Sequence, residues 1–319
     1  MTIDALRART ARGPLVLDGA MATFVHASAG GARPVAPTDA LTWSQPAIVR
    51  AVHDAYLDAG ADIIRTNTFR AAAREHATDA RELCRAAARL ACEAADEWTR
   101  RTPGRPRIVA GAIGPADHSE PSEGRAAAER NRETFRPPLT GLLEGGVDLL
   151  LFETWWCPAQ TEGALRALAD ACADAGRRLP VLVSTVLGRE RRVAASGVSL
   201  EAWLDAIDPA AVDGVGVNCG TGPEGLAAPL STLGARPWLV SCAPSAGVPG
   251  DEGDRPCEPE PFARAVAAYV TAGLVQIAGG CCGTTPAHVR ALAAALAAPG
   301  GIDPAPPNAV ATPRRAGTQ

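Results

Sequence analysis

The stretch VDLLLFET, residues 147–154, sets four consecutive apolar side chains between Asp148 and Glu153. A run so short and so uniformly apolar reads as a β-strand buried on both faces, as in parallel sheets covered by helices. It follows Gly145-Gly146, a helix stop, and it ends on a carboxylate. The same unit recurs on either side. Upstream stand PLVLDGA (14–20), ADIIRTNT (61–68) and RIVAGAIGP (107–115); downstream stand PVLVSTVL (180–187), GVGVNC (214–219), WLVSCAPS (238–245) and LVQIAGGCC (274–282). Between most of them lie Ala-, Leu- and Arg-rich stretches of helical period, clearest in PAIVRAVHDAYLDAGA and ARELCRAAARLACEAADEWTRR. Several of these stop on a glycine (Gly60, Gly146, Gly176, Gly273) just before the next run. Eight strand–helix units predict an α/β fold, a (β/α)8 TIM-type barrel formed as a single domain within residues 1–298. The alternative is an open doubly wound sheet, but no G-x-G-x-x-G follows the first run.

Two stretches fall outside the alternation. Residues 116–138 form a long polar insertion after the third run, either a lid over the barrel mouth or a solvated loop. Residues 299–319 are rich in Pro and Gly and are expected to be a poorly ordered tail.

Composition narrows the function. The net charge of −4, with no basic stripe, argues against nucleic acid. No segment approaches the ~18 apolar residues of a membrane span. The start, MTIDALRART, lacks the apolar core of a secretory signal, so a cytoplasmic location is expected. All 31 basic residues are Arg. Without a Lys, Schiff-base aldolase chemistry is excluded. Nine Cys in a reducing compartment point to metal binding or catalysis rather than to disulfides.

The residues with chemistry gather at one end of the runs. Asp18 closes the first, Asn67 the second and Glu153 the fourth; Asn218 and Cys219 end the sixth, Cys281 and Cys282 the eighth. In a barrel these C-terminal strand ends meet at one mouth. The two adjacent thiols are boxed by Gly279, Gly280 and Gly283, which let the chain leave the strand so that both can face one point. Thr285-Pro286 then reads as an N-cap and first helical residue, whose dipole favours thiolate. Cys219 is the expected third thiol, two strands away, within reach of one ion at Zn–S bonds of ~2.3 Å. Three thiolates select zinc and leave its fourth tetrahedral position open. Cys84, Cys92 and Cys172 lie in helical stretches and read as core thiols; Cys157, Cys242 and Cys257 read as core or loop thiols.

GGCCGTTP, VNCG and LDGAMAT together resemble the zinc-dependent homocysteine S-methyltransferases, and most of all the homocysteine-binding barrel of cobalamin-dependent methionine synthase. The resemblance spans most of residues 10–297 and includes GADIIRTNTF and GGVDLLLFET. It implies that Cys219, Cys281 and Cys282 bind zinc, with the homocysteine thiol in the fourth position. It implies that Asp18 and Glu153 hold the substrate amino group, that backbone N–H groups near Ala20 and Met21 meet its carboxylate, and that Asn67 lines the pocket. Ala22 stands where the family often has Gly, and GRERRVAA (188–195) adds arginines after the fifth run.

The function so implied is methylation of homocysteine to methionine, from S-methylmethionine or S-adenosylmethionine. One alternative is a homocysteine module of a split cobalamin-dependent methionine synthase, served by a corrinoid protein. Another is methylation of a related thiol or selenol. A rival of another class is a non-catalytic zinc-stabilised binding module. It would need a fourth protein ligand, for example Cys157.

Overall fold

The computed structural model describes residues 1–28, 38–73, 76, 78–116, 125–188, 190, 192–194, 196–220, 222–247 and 256–298. The tail at 299–319 and residues 117–124 of the insertion lie outside them.

Each apolar run contains a strand: β1 (Leu15–Val16), β2 (Ile63–Arg65), β3 (Ile108–Ile113), β4 (Leu149–Phe152), β5 (Val181–Thr185), β6 (Gly214–Cys219), β7 (Leu239–Pro244) and β8 (Ile277–Ala278). All pair in parallel, in the order β1-β8-β7-β6-β5-β4-β3-β2. A parallel bridge between Leu17 and Ile63 brings the chain after β1 back against β2 and closes the barrel. Eleven helices occur among the described residues: α1 (Ile3–Thr10), α2 (Ala22–Ser28), α3 (Leu41–Ser44), α4 (Pro46–Asp58), α5 (Ala80–Arg101), α6 (Arg125–Gly145), α7 (Pro158–Ala175), α8 (Leu200–Asp205), α9 (Ala227–Gly234), α10 (Pro259–Thr271) and α11 (Pro286–Ala297). Gly60, Gly146, Gly176 and Gly273 all take positive φ at helix stops, as expected.

Strand alternation divides the core in two. Leu15, Ile63, Ile108, Leu149, Leu151, Leu182, Leu239 and Ile277 belong to the cluster that fills the barrel. Val16, Ile64, Val109, Leu150, Val183 and Val240 pack outward, in the larger cluster beneath the helices. Leu6 of α1, fully buried, joins the inner cluster, with Met1 and Ile3 packed against it. This plugging helix, capped by the Thr2 hydroxyl, carries no clear apolar stripe and was not legible in the sequence.

The polar insertion read at 116–138 is corrected in its second half, where residues 125–138 begin α6 rather than a loop. Buried Ala127, Ala128, Phe135, Leu139 and Leu142 keep helical spacing beneath the charges. Arg132 and Arg136 pair with Asp170 and Asp174 of α7, each at 2.7 Å. Pro137 and Pro138 are accommodated within the helix. No helix among the described residues is long and apolar enough to cross a membrane.

Candidate active site and metal centre

After β8 the chain turns through Gly279–Gly283 and enters α11, with Thr285 as N-cap and Pro286 first in the helix. The turn is fastened to the end of β7. Cys281 N–H donates to the Pro244 carbonyl at 2.9 Å, and Ala246 N–H to the Cys282 carbonyl at 2.8 Å. Gly283 sits at φ +76°, and a Cβ there would lie 1.6 Å from the Gly247 oxygen. The Thr284 hydroxyl donates to the Cys281 carbonyl at 2.6 Å and accepts from Ala20 N–H at 3.1 Å. Tyr56 closes the same joint, its hydroxyl within hydrogen-bond reach of the Ala20 and Thr284 carbonyls.

Cys219 ends β6 at φ +59°, and Thr154, after Glu153, lies at φ +65°. They are the only non-glycine residues at positive φ among the described residues, and both stand at the barrel mouth. Such conformations persist where surrounding bonds hold them. Asn218 supplies some of these bonds: its Oδ1 accepts from Thr154 N–H (2.9 Å) and the Ser184 hydroxyl (2.6 Å), and its Nδ2 donates to Thr154 Oγ1 (2.8 Å).

The three predicted thiols converge. Their sulfurs lie within 4.8 Å of one another, with Cys219 Sγ and Cys282 Sγ 3.6 Å apart. Tetrahedral zinc at ~2.3 Å from each sulfur would separate the sulfurs by about 3.8 Å, so the set fits that ion. Ser245 Oγ is 3.5 Å from Cys219 Sγ, and Asn218 Nδ2 is 3.9 Å from Cys281 Sγ. Hydrogen bonds from Cys281 and Cys282 stabilise a thiolate at Cys219 and push its pKa far down. The same bonds hold the Cys281 proton in place. Elsewhere burial keeps thiols protonated, raising Cys242 and Cys92 to about 12 and also raising Cys84, Cys172 and Cys257. Cys157, a possible closing ligand, is the N-cap of α7 and is not in the thiol cluster.

The acidic side of the site holds a residue that sequence reasoning missed. Arg65, last in β2 and buried, lies between Asp18 and Glu153. Its Nε donates to Asp18 Oδ1 (2.6 Å), its Nη1 to Glu153 Oε1 (2.5 Å), and its backbone N–H to Asp18 Oδ2 (2.8 Å). Nη2 reaches the carbonyls of Asp18 (3.1 Å), Gly19 (2.8 Å) and Gly280 (2.7 Å). Burial pushes the Asp18 carboxyl up to about 6, while the guanidinium pulls it the other way. Burial disfavours the guanidinium's charge, but Glu153 and Asp18 outweigh it and hold Arg65 firmly protonated.

All eight predicted residues (Asp18, Ala20, Met21, Asn67, Glu153, Cys219, Cys281 and Cys282) line one cavity of about 380 Å³ at the C-terminal ends of the strands. Asn67 is anchored there by its Nδ2 on the Thr38 carbonyl at 2.7 Å. Of the two loop residues expected near a carboxylate, Ala20 already gives its N–H to Thr284 Oγ1 at 3.1 Å.

A parallel barrel with three converging cysteines at its mouth defines a scaffold whose thiols could hold a metal ion. The comparisons narrow this further. Residues 15–296 match the family described as homocysteine S-methyltransferase, and the chain belongs to that family of methyltransferases. It is similar to the methionine synthase of Mycobacterium leprae (strain TN), at 34% identity over 266 residues, and to that of Mycobacterium tuberculosis (strain ATCC 25618 / H37Rv), at 33%. Each match covers 81% of this chain and 22% of the relative, so the chain spans about a fifth of those proteins. Among solved structures it resembles the metallated form of the homocysteine methyltransferase MmuM from Escherichia coli. The TM-score is 0.71 at 28% identity, covering 91% of this chain and 99% of that one. The oxidized form of the same protein gives 0.70 at 27%.

Proposed function

We propose that the chain is a zinc-dependent S-methyltransferase that converts homocysteine to methionine. One observation carries the reading: three thiols at zinc spacing and a buried anionic pair share one cavity. Cys219, Cys281 and Cys282 would hold the ion. Zinc, when bound, would take the acceptor thiol as thiolate at neutral pH and keep it nucleophilic. Asp18 and Glu153 form the anionic wall that suits the ammonium of an amino acid. Ser245 and Asn218 orient the cysteine sulfurs, and the Thr284–Tyr56 joint fixes the loop beside them.

The donor is a sulfonium, S-methylmethionine or S-adenosylmethionine. The methyl group passes to the acceptor sulfur, and the donor departs as a thioether with the electron pair of the broken C–S bond. A second reading, transfer from a corrinoid protein, is favoured by the likeness to part of methionine synthases.

Homocysteine binding tests the reading before any donor is known. X-ray absorption on the zinc-loaded protein should count three sulfurs, rising to four with homocysteine, and calorimetry should record release of close to one proton. Cys282→Ser should lose most of its zinc. Four protein sulfurs before substrate arrives, or full zinc in the variant, would sink the assignment.

A further inference from the structure

We propose that Arg65 divides the labour of the acidic pair: Glu153 alone receives the substrate ammonium, and Asp18 acts as a positioning residue through the guanidinium. The inference rests on the reading of the site as one for an amino-acid thiol.

The hydrogen bonds carry it. Both oxygens of Asp18 are engaged by Arg65 itself, Oδ1 by Nε at 2.6 Å and Oδ2 by the backbone N–H at 2.8 Å. Glu153 gives Arg65 only Oε1, at 2.5 Å; its Oε2 accepts no hydrogen bond among the described residues, and Glu153 lines the cavity. The guanidinium is not free to swing aside for a ligand. Nη2 is tied to three carbonyls from two loops, and the side chain is 8% exposed. One of these is the carbonyl of Gly280, the residue before Cys281, so the same cation braces the metal loop.

Charge counting agrees. Asp18 and Glu153 carry two negative charges and Arg65 one positive, which leaves the group at −1. One ammonium brings it to zero. A thiol lacking the amine leaves an uncompensated charge in a buried place, a costly outcome. Arg65 thereby makes the subsite selective for a single cation delivered to a single oxygen. A bare pair of carboxylates would instead share the ammonium equally.

The test compares homocysteine with 4-mercaptobutanoate, which is homocysteine without its amine. Both are titrated calorimetrically into the zinc-loaded protein, so the result does not depend on the donor. Wild type should favour homocysteine by about 10- to 150-fold, the range of one charge-assisted hydrogen bond. Glu153→Gln should bring the ratio to within about threefold of unity. Asp18→Asn should weaken both ligands by a similar factor and keep the ratio. If Asp18→Asn does not fold, Arg65→Lys serves, since its point charge cannot span both carboxylates. It too should weaken both ligands with the ratio kept. A purely structural role would not separate the Asp18 and Glu153 variants in this way. Equal collapse of the ratio in both, or no preference in wild type, overturns the assignment. Preference for homocysteine with no methyl transfer from any donor would instead overturn the proposed reaction and leave the role of Arg65 standing.

Discussion

Arg65→Met should be among the most damaging single substitutions in the protein, and its cost should depend on pH. The side chain neutralises two buried carboxylates and satisfies three backbone carbonyls. Removing one partner from a buried ion pair costs about 3–5 kcal/mol, because the other charge stays behind. Part of that sum can be worked from Asp18. Burial raises its carboxyl to about 6 even with the guanidinium present. Without it the value climbs further, and the side chain folds as the neutral acid. Holding a proton on an ordinary Asp costs about 5 kcal/mol at pH 7.5 and about 1.5 kcal/mol at pH 5. Wild type already bears about 3 kcal/mol of this above pH 6. The extra loss through Asp18 is therefore about 2 kcal/mol at pH 7.5 and close to nil at pH 5.

The sign follows from linkage. In both proteins the folded-state value of Asp18 lies above its unfolded value. Its contribution therefore favours folding at low pH and is lost as the pH rises through the folded value. The variant extends that loss past pH 6. Urea denaturation of both proteins at pH 7.5 and pH 5 reads the difference directly, from midpoints compared at equal m. The expected gap is about 3–5 kcal/mol at pH 7.5, narrowing by about 2 kcal/mol at pH 5. Combining Arg65→Met with Asp18→Asn and Glu153→Gln should recover stability relative to Arg65→Met alone, since no buried charge is then left unpaired. A gap under about 1 kcal/mol at pH 7.5, or one that does not change with pH, would refute the argument.

Gly283→Ala should displace the Cys281–Cys282 turn and lower zinc affinity at least about tenfold in a chelator competition, because its Cβ would meet the Gly247 oxygen at 1.6 Å. Gly176→Ala, also at positive φ but with nothing within 4 Å, should cost only the strain of about 1–2 kcal/mol and leave zinc binding unchanged; equal zinc loss in the two would discredit the packing account. The kcat/KM for homocysteine should fall on the acid side of about pH 6, as Asp18 takes a proton and its contact with Arg65 weakens. A rate profile flat from pH 7 to pH 5 would remove Asp18 from that role.

Much of this site is legible in the sequence for physical reasons that can be named. Uniformly apolar runs mark strands covered on both faces, and parallel strands deliver their C-terminal residues to one mouth. Gly on both sides of Cys281-Cys282 announces a turn where two neighbouring thiols can face one ion, and Cys219 follows from strand order. The first half of α6 escaped because its apolar stripe, Ala127 to Leu142, is thinned by small residues, and because Pro137-Pro138 argues locally against a helix that packing sustains. The helix α1 escaped because one buried leucine is too little signal for a periodicity argument.

Arg65 is the instructive omission. In a chain whose 31 basic residues are all Arg, no single one stands out by composition. Position, not type, identifies it. Side chains two apart on a strand share a face. Ile63 fills the barrel interior, so Arg65 must point inward as well; Leu149 and Leu151 fill it too, so Glu153 follows them. The register sets Arg65 beside Ala110 on β3, and Ala110 beside Leu149 on β4, four residues short of Glu153; the long Arg65 side chain spans the difference to reach Glu153 Oε1 at 2.5 Å. A buried Arg aimed into a barrel needs anions, and the polar ends of neighbouring strands are the only ready source. From that step the pairing with Glu153 follows from alternation; Asp18 follows inward-facing Leu17, and it turns to Arg65 because the chain has already left β1. The two acids implied by family likeness as ligands for an ammonium then have to be read as a set of three. On the proposed reading, the substrate's ammonium would meet a site already half-neutralised by Arg65.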